Sequence, residues 1–203
     1  MKSKIDITGV SETMLQTLYA RAKETNSQNA KIKDDIAVHI VENIDYDFSK
    51  ADKDSAMSSG VIARTIVLDR MVEQYLIHDI EYHGEDILVI IEGLTMYLDE
   101  KEVLKMFSII EKSFKKVTVL VETMSPFVVK HMKEKSIDQS NAKFLWGVKN
   151  GNELQKILPE FIFEKEVSLI EGMKELHPIY HLFGWIPLVR NISNKIMVLK
   201  NRS

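Results

Sequence analysis

From the amino terminus to Leu76 the apolar residues recur every three or four positions, the period of helices with one buried side. Met14, Leu15, Leu18 and Ala22 form the first such stripe. It follows Thr8–Ser11, where Ser11 is placed to act as the N-cap. Ile36, Ala37, Ile40, Val41 and Ile44 form a second, entered through Asp34 and Asp35. Tyr46–Ser55 is polar and reads as a connection. A longer helix follows, with Val61, Ile62, Thr65, Leu68, Met71, Val72 and Tyr75 on a broad apolar side.

Beyond residue 77 the pattern changes to short apolar runs separated by helical stretches. Asp86–Ile91 and Val117–Val121 are continuous apolar runs, the signature of strands buried on both faces. Between them, Asp99 to Glu102 spells a capping box with Asp in place of Ser or Thr, opening a helix that buries Val103, Leu104, Phe107 and Ile110. Ser125-Pro126 starts another helix, with proline at its first position. Leu154, Ile157 and Leu158 form a short helix stopped by Pro159. Phe161–Ile170 and Lys195–Lys200 read as strands, and Lys149–Asn152 as the clearest turn. Strands alternating with helices predict an α/β architecture with a parallel sheet. The expected organisation is a single domain over residues 1–203, helical over 1–76 and α/β over 77–203.

Composition narrows the function classes. The chain has 203 residues, 45% apolar and 28% charged, with a net charge of -3, so it carries no basic footprint for nucleic acid. Lys112, Lys115 and Lys116 read as a solvated helix end. Cysteine is absent, which removes disulfides, thiolate chemistry and cysteine-ligated metal. The opening residues hold no apolar run of signal-peptide length, and no stretch approaches a membrane span. The expectation is a cytoplasmic protein without a membrane or nucleic-acid partner.

No GxGxxG, Walker loop, HExxH or GxSxG is present, and Gly147 and Gly151 are too far apart for a dinucleotide fingerprint. His177 and His181 are four apart, but Pro178 lies between them and no carboxylate follows at ligand spacing. His78 and His83 flank Asp79 and Glu81 without a recognised spacing, so no metal site is expected. A metal-dependent hydrolase would rest on these scattered residues alone. No pair of carboxylates stands out for glycoside chemistry. The strongest local feature is Glu92-Gly93, directly after the Asp86–Ile91 run. Ligands of open α/β sheets bind outside such strand ends, and a glycine there admits a ligand close to the backbone. The alternative is a strand simply leaving the core through a turn. Arg64, within an otherwise apolar helix, suits bidentate capture of a carboxylate. Otherwise it is a surface arginine, or one paired with Asp69 or Glu73.

These residues carry a resemblance. Ile90 to Leu98 (IIEGLTMYL) resembles the EGxxxYL stretch of the leucine carboxyl methyltransferase and polyketide-synthesis O-methyltransferase family. Gly9 to Leu15, Tyr19 to Ala22, Asp34-Asp35, Ser59 to Thr65 and Phe144 to Val148 resemble further stretches of that family, in the same order. The resemblance implies a Rossmann-like methyltransferase sheet under an N-terminal helical cap, with S-adenosylmethionine as methyl donor. It implies a carboxylate or other oxygen as acceptor, on a small molecule or a protein C-terminus. By position, Arg64 would bind the donor's carboxylate, and Glu92 and Gly93 would lie by its methionine end. Leu94 and Tyr97 would border the substrate, and Arg21 matches a basic cap position. The resemblance assigns no catalytic residue, since methyl transfer to a carboxylate depends on alignment more than on a base.

The chain departs from the family in one respect. Where the family places a glycine-rich strand–loop and the units after it, this chain passes from Leu76 directly to Asp86–Ile91; two strand–helix units, roughly 60–80 residues, and a third strand are missing. An incomplete sheet is expected, with Asp86–Ile91 at its edge, where an exposed strand invites pairing with a second copy. Alternatively the segment lies outside this sequence, or the N-terminal helices repack over the gap. The competing function is a non-catalytic remnant of the fold that binds or oligomerises.

Overall fold

A computed structural model describes residues 2–5, 7, 9–78, 86–131 and 143–202. In chain order its elements are β1 (Ser3–Lys4), α1 (Val10–Thr25), α2 (Asp35–Asn43), β2 (Ile44–Asp45), α3 (Ser49–Asp52) and α4 (Ser55–His78). Then come β3 (Asp86–Ile91), a 3-10 turn (Thr95–Tyr97), α5 (Glu100–Ser113), β4 (Lys116–Thr123) and α6 (Pro126–His131). The chain closes with α7 (Gly151–Ile157), β5 (Phe161–Ser168), α8 (Ile170–Leu176), α9 (Ile179–Phe183), α10 (Pro187–Ile192) and β6 (Lys195–Asn201).

The sheet has four strands in the order β3-β4-β6-β5. The architecture is α/β, as the pattern predicts, and is compatible with a Rossmann-like methyltransferase fold. The sheet is mixed rather than parallel: β3 and β4 run parallel, whereas β6 is antiparallel to both β4 and β5. An apolar run such as Ile196–Leu199 is buried on both faces in either direction, so its composition does not fix its orientation. Among the described residues β3 is an edge, with β4 its sole strand partner, and Ile90 is 46% exposed. Only Ile91 of β3 is fully buried, so this strand is less enclosed than its composition predicts.

Alternation along β4 divides the core. Val117, Val119 and Val121 face α5 and α7, packing with Val103, Phe107, Leu154, Phe161 and Trp146. Leu120 faces the other way, onto Val67, Leu68 and Met71 of α4. On a further side α4 presents Val61, Ile62 and Ile66 to Ala20 of α1 and to Ile32. Because α4 is covered from two directions, its apolar surface is broad and no narrow stripe is needed.

The helix signals hold where a side chain caps the backbone. Asp99 and Glu102 form the reciprocal capping box of α5, Asp34 accepts from Ala37 N at 2.9 Å at the start of α2, and Pro126 opens α6. Ser11 does not cap α1; Gly9 does, at φ 71°, and Ser11 lies inside the first turn. The side of α1 that is buried carries Glu12, Gln16, Ala20 and Ala22, whereas Met14 is exposed, and of the α2 stripe only Ala37 is buried. The predicted connection Tyr46–Ser55 contains α3, and Phe48 beside it stacks on Tyr19 at 4.7 Å. The predicted turn at Lys149–Asn152 is the start of α7, where the Asn150 side chain accepts from Glu153 N at 3.0 Å. No helix among the described residues is long and apolar enough to cross a membrane.

Candidate functional site

The geometry of β4 and α4 sets the site. Leu120 packs on Leu68, and Glu122 lies two residues further along the strand, on the same face. Two strand residues advance about 6.6 Å. One helical turn back from Leu68, about 6 Å along the axis, is Arg64. The steps match, and the Arg64 guanidinium meets the Glu122 carboxylate, Nη1 to Oε2 at 3.2 Å. Glu92 arrives from the next strand. Ile91 pairs with Val121 in parallel register, so the residues that follow, Glu92 just past β3 and Glu122 within β4, lie side by side. Arg64 Nε donates to Glu92 Oε1 at 2.7 Å.

Glu122 is 1% exposed and is the hub of this cluster. Gly93 N donates to its Oε2 at 2.8 Å and Asn194 Nδ2 to its Oε1 at 2.9 Å, while its carbonyl accepts from Thr95 Oγ1 at 2.7 Å. Among the described residues, each hydrogen-bond partner of the carboxylate is a donor. Burial opposes the charge on Arg64, but the fields of Glu122 and Glu92 outweigh it and hold the guanidinium above its ordinary pKa. No hydrogen bond from a described residue reaches Glu92 Oε2 or leaves Arg64 Nη2. Gly93 has φ 61°, and a Cβ there would lie 3.3 Å from Arg64 Nη1 and 3.9 Å from Nη2. A side chain at this position would be strained and would lean on the guanidinium, so glycine leaves that approach open.

The residues after Glu92 and Glu122 are held by the 143–148 stretch. Leu145 N donates to Met96 O at 2.7 Å and Val148 N to Met124 O at 2.9 Å, which ties together the loops leaving β3 and β4. Gly147 sits so close to Met124 O that a Cβ would approach it to 2.5 Å. Tyr97 meets Phe144 in a tilted ring contact, centroids 5.6 Å apart and planes 40° apart, and packs beside Met96, Met124 and Val128. Leu94 is exposed on the way into this turn.

Of the residues singled out from sequence, Arg64, Glu92 and Gly93 come together, and Leu94 and Tyr97 follow within the same loop. Arg64 pairs with Glu92 and Glu122 rather than with Asp69 or Glu73. Arg21 Nε pairs with Asp34 at 2.8 Å. Asp69 lies within the fields of both Arg21 and Glu92; its pKa is raised by burial first, with Arg21 opposing and Glu73, Glu92 and Asp34 adding. Sequence reasoning missed Glu122 and Asn194. A signal for Glu122 existed, since both apolar runs end in a glutamate, Ile91-Glu92 and Val121-Glu122. Asn194 carried none.

Two surface clefts lie away from this cluster. One of about 220 Å³ is at the opposite end of the sheet, between Asp86, Lys116, Tyr75 and Asn201. The other, about 350 Å³, is between α1 and α2, lined by Tyr19, Lys23, Val38 and Val41. Among the described residues no group of three His, Asp or Glu is arranged to hold a metal. His177 Nε2 instead meets Ser59 Oγ at 3.0 Å. His83, Asp79 and Glu81 lie outside the described residues, as does the side chain of His78.

No family model matches the chain. The chain is similar to the S-adenosyl-L-methionine-dependent methyltransferase dpfgK of Gibberella zeae, at 39% identity over 82 residues. The match covers 37% of this chain and 28% of the relative, so it spans well under a third of that protein's length. This partial likeness supports a relationship to S-adenosylmethionine-dependent methyltransferases in general.

Proposed function

We propose that this chain belongs to a methyltransferase that takes its methyl group from S-adenosylmethionine, and that Arg64, Glu92 and Gly93 hold the amino-acid end of that donor. The observation that carries this reading is a pair of groups at one strand end that no described residue takes up: Arg64 Nη2, a donor for a carboxylate, and Glu92 Oε2, an acceptor for an ammonium. They flank a glycine whose missing side chain opens the approach. A zwitterion fits this arrangement, and the partial likeness to a fungal methyltransferase supports the same donor. The described residues supply no glycine-rich loop for the adenosine.

The donor contributes a methyl group on a sulfonium. The chain's own contribution is alignment. Arg64 is fixed by two carboxylates, so little rotamer entropy remains to be lost when Nη2 takes up a ligand. Thr95 and the 143–148 stretch fix the loop that carries Leu94 and Tyr97, which we assign to the acceptor side. The acceptor is an oxygen, a carboxylate in the first instance, on a small molecule or a protein C-terminus. This finer assignment rests on the resemblance of the EGLTMYL stretch. A carboxylate is already nucleophilic, consistent with the lack of an assigned base. Isothermal titration with S-adenosylmethionine tests the reading. Binding that is lost in Arg64→Ala supports it, and no heat at millimolar donor refutes it.

A second reading is favoured by the position of β3. As an edge strand with an exposed Ile90, it suits a non-catalytic module that pairs with a second copy of the chain. Dimerisation without donor binding distinguishes it.

A further inference from the structure

We infer that Glu122 is a positioning residue that tunes the Arg64 site towards a ligand carrying positive charge beyond that of a simple zwitterion, a sulfonium in preference to a thioether. The inference rests on the methyltransferase reading and deepens it. Two carboxylates face one guanidinium, so the cluster keeps a surplus of one negative charge. Neutralising Arg64 would take Glu92 alone, and Glu92 is the partner with access to solvent. Glu122 is the added charge, and it is buried at 1% exposure, where water screens it poorly.

Its neighbours give it a second effect. Through Oε2 it grips Arg64 Nη1 and Gly93 N together, and through Oε1 it takes Asn194 Nδ2. One side chain thereby fixes the clamp, the loop that carries the glycine, and the residue preceding β6. Arg64 is turned so that Nε and Nη1 are occupied and, among the described residues, Nη2 is left for the ligand. The carboxylate of an amino acid satisfies Nη2 and its ammonium satisfies Glu92. The surplus from Glu122 is then felt by whatever charge the ligand carries further along. S-adenosylmethionine carries such a charge. S-adenosylhomocysteine, the product of methyl transfer, has lost it. The cluster therefore favours the incoming donor over the spent one.

The test is the ratio of two dissociation constants, for S-adenosylmethionine and S-adenosylhomocysteine, measured by titration calorimetry on the full chain. A unit charge acting at partly buried range corresponds to a preference on the order of tenfold for the sulfonium in the wild type. Glu122→Gln keeps the size of the side chain and removes the charge, and is expected to bring the ratio close to unity. Glu122→Asp keeps the charge but withdraws it from Arg64 and Gly93; it is expected to weaken both ligands and preserve the ratio. A loss of fold alone would weaken both ligands equally, so the ratio separates tuning from structural support. Equal affinities in the wild type overturn the inference without any variant, as does an unchanged ratio in Glu122→Gln. If the wild type binds neither ligand, the methyltransferase reading falls, and this inference with it.

Discussion

Replacing Arg64 by Met is expected to destabilise the fold far more than replacing its solvent-facing partner Glu92 by Gln. The substitution conserves most of the stem volume and removes the one cation paired with Glu122 among the described residues. Glu122 is 1% exposed and would keep only the neutral donors Gly93 N and Asn194 Nδ2. Leaving a buried charge without its partner costs about 3–5 kcal/mol. Glu92 is different. Its side chain is 29% exposed and turns to water when the pair breaks, so Glu92→Gln should cost no more than about 1 kcal/mol. Against a typical total of about 5–15 kcal/mol, Arg64→Met removes a large share. For a chain of this size the loss corresponds to a fall in melting temperature of roughly 10 °C. Urea unfolding followed by circular dichroism, with the denaturant slope checked for constancy, measures it. The double variant Arg64→Met/Glu122→Gln should recover part of the loss, with a coupling energy of about 2 kcal/mol. If Arg64→Met lies within about 1 kcal/mol of the wild type, or no worse than Glu92→Gln, the cluster is a solvated surface network and the argument from burial fails.

Three further outcomes follow from the geometry. Tyr46 donates to the buried Glu12 at 2.7 Å, and burial and then that hydrogen bond push its pKa from 10.0 up to about 12. The folded state holds the phenol proton more tightly than the unfolded state, so the stability it contributes is intact below about pH 10 and is lost as pH rises towards about 12. A spectrophotometric titration that lacks a late tyrosinate step absent from Tyr46→Phe would contradict this. Gly147→Ala would place a Cβ 2.5 Å from Met124 O, so the loops leaving β3 and β4 must part. A loss of about 1–3 kcal/mol by urea unfolding is expected, and an unchanged midpoint would show that the 143–148 stretch is not clamped. Ile90→Lys puts a charge on the exposed edge strand; light scattering should give a dimer for the wild type and a monomer for the variant, and a monomeric wild type refutes edge pairing.

What could be read from sequence was whatever one segment decides alone. The Asp99/Glu102 box, Pro126 and Asp34 act on backbone groups within a few residues, so their helices start where the letters say. The run Asp86–Ile91 has a length and composition that suit a strand alone. Orientation is a different matter. Lys195–Asn201 would read the same in a parallel sheet, and its antiparallel pairing to β4 is decided by the path through α8 to α10. In α1 the signal misled. Leu15 and Leu18 suggested the buried side, yet Glu12 and Gln16 are buried and Met14 is exposed. Glu12 is tolerated there because Tyr46 supplies a donor from more than thirty residues away, a partner no local pattern reveals.

Glu122 illustrates the same limit within the site. In the sequence the apolar run ends at Val121, and a charged residue ordinarily marks the exit from a buried strand. Hydrogen bonding to β6 carries the strand on, pairing Glu122 with Ile196 and Thr123 with Lys195. A carboxylate inside a sheet needs compensation, and here it comes from a helix, a loop and the residue before β6, three separate parts of the chain. Arg64 and Glu92 were recognisable because each stood out against its own apolar surroundings. Their meaning changes once Glu122 is present: Arg64 is no longer a free cation awaiting an anion, but one whose charge is more than balanced and whose remaining donor has a fixed direction. A site of that kind discriminates by the whole charge of its ligand, which is why the comparison of sulfonium with thioether probes it more sharply than the loss of binding in Arg64→Ala.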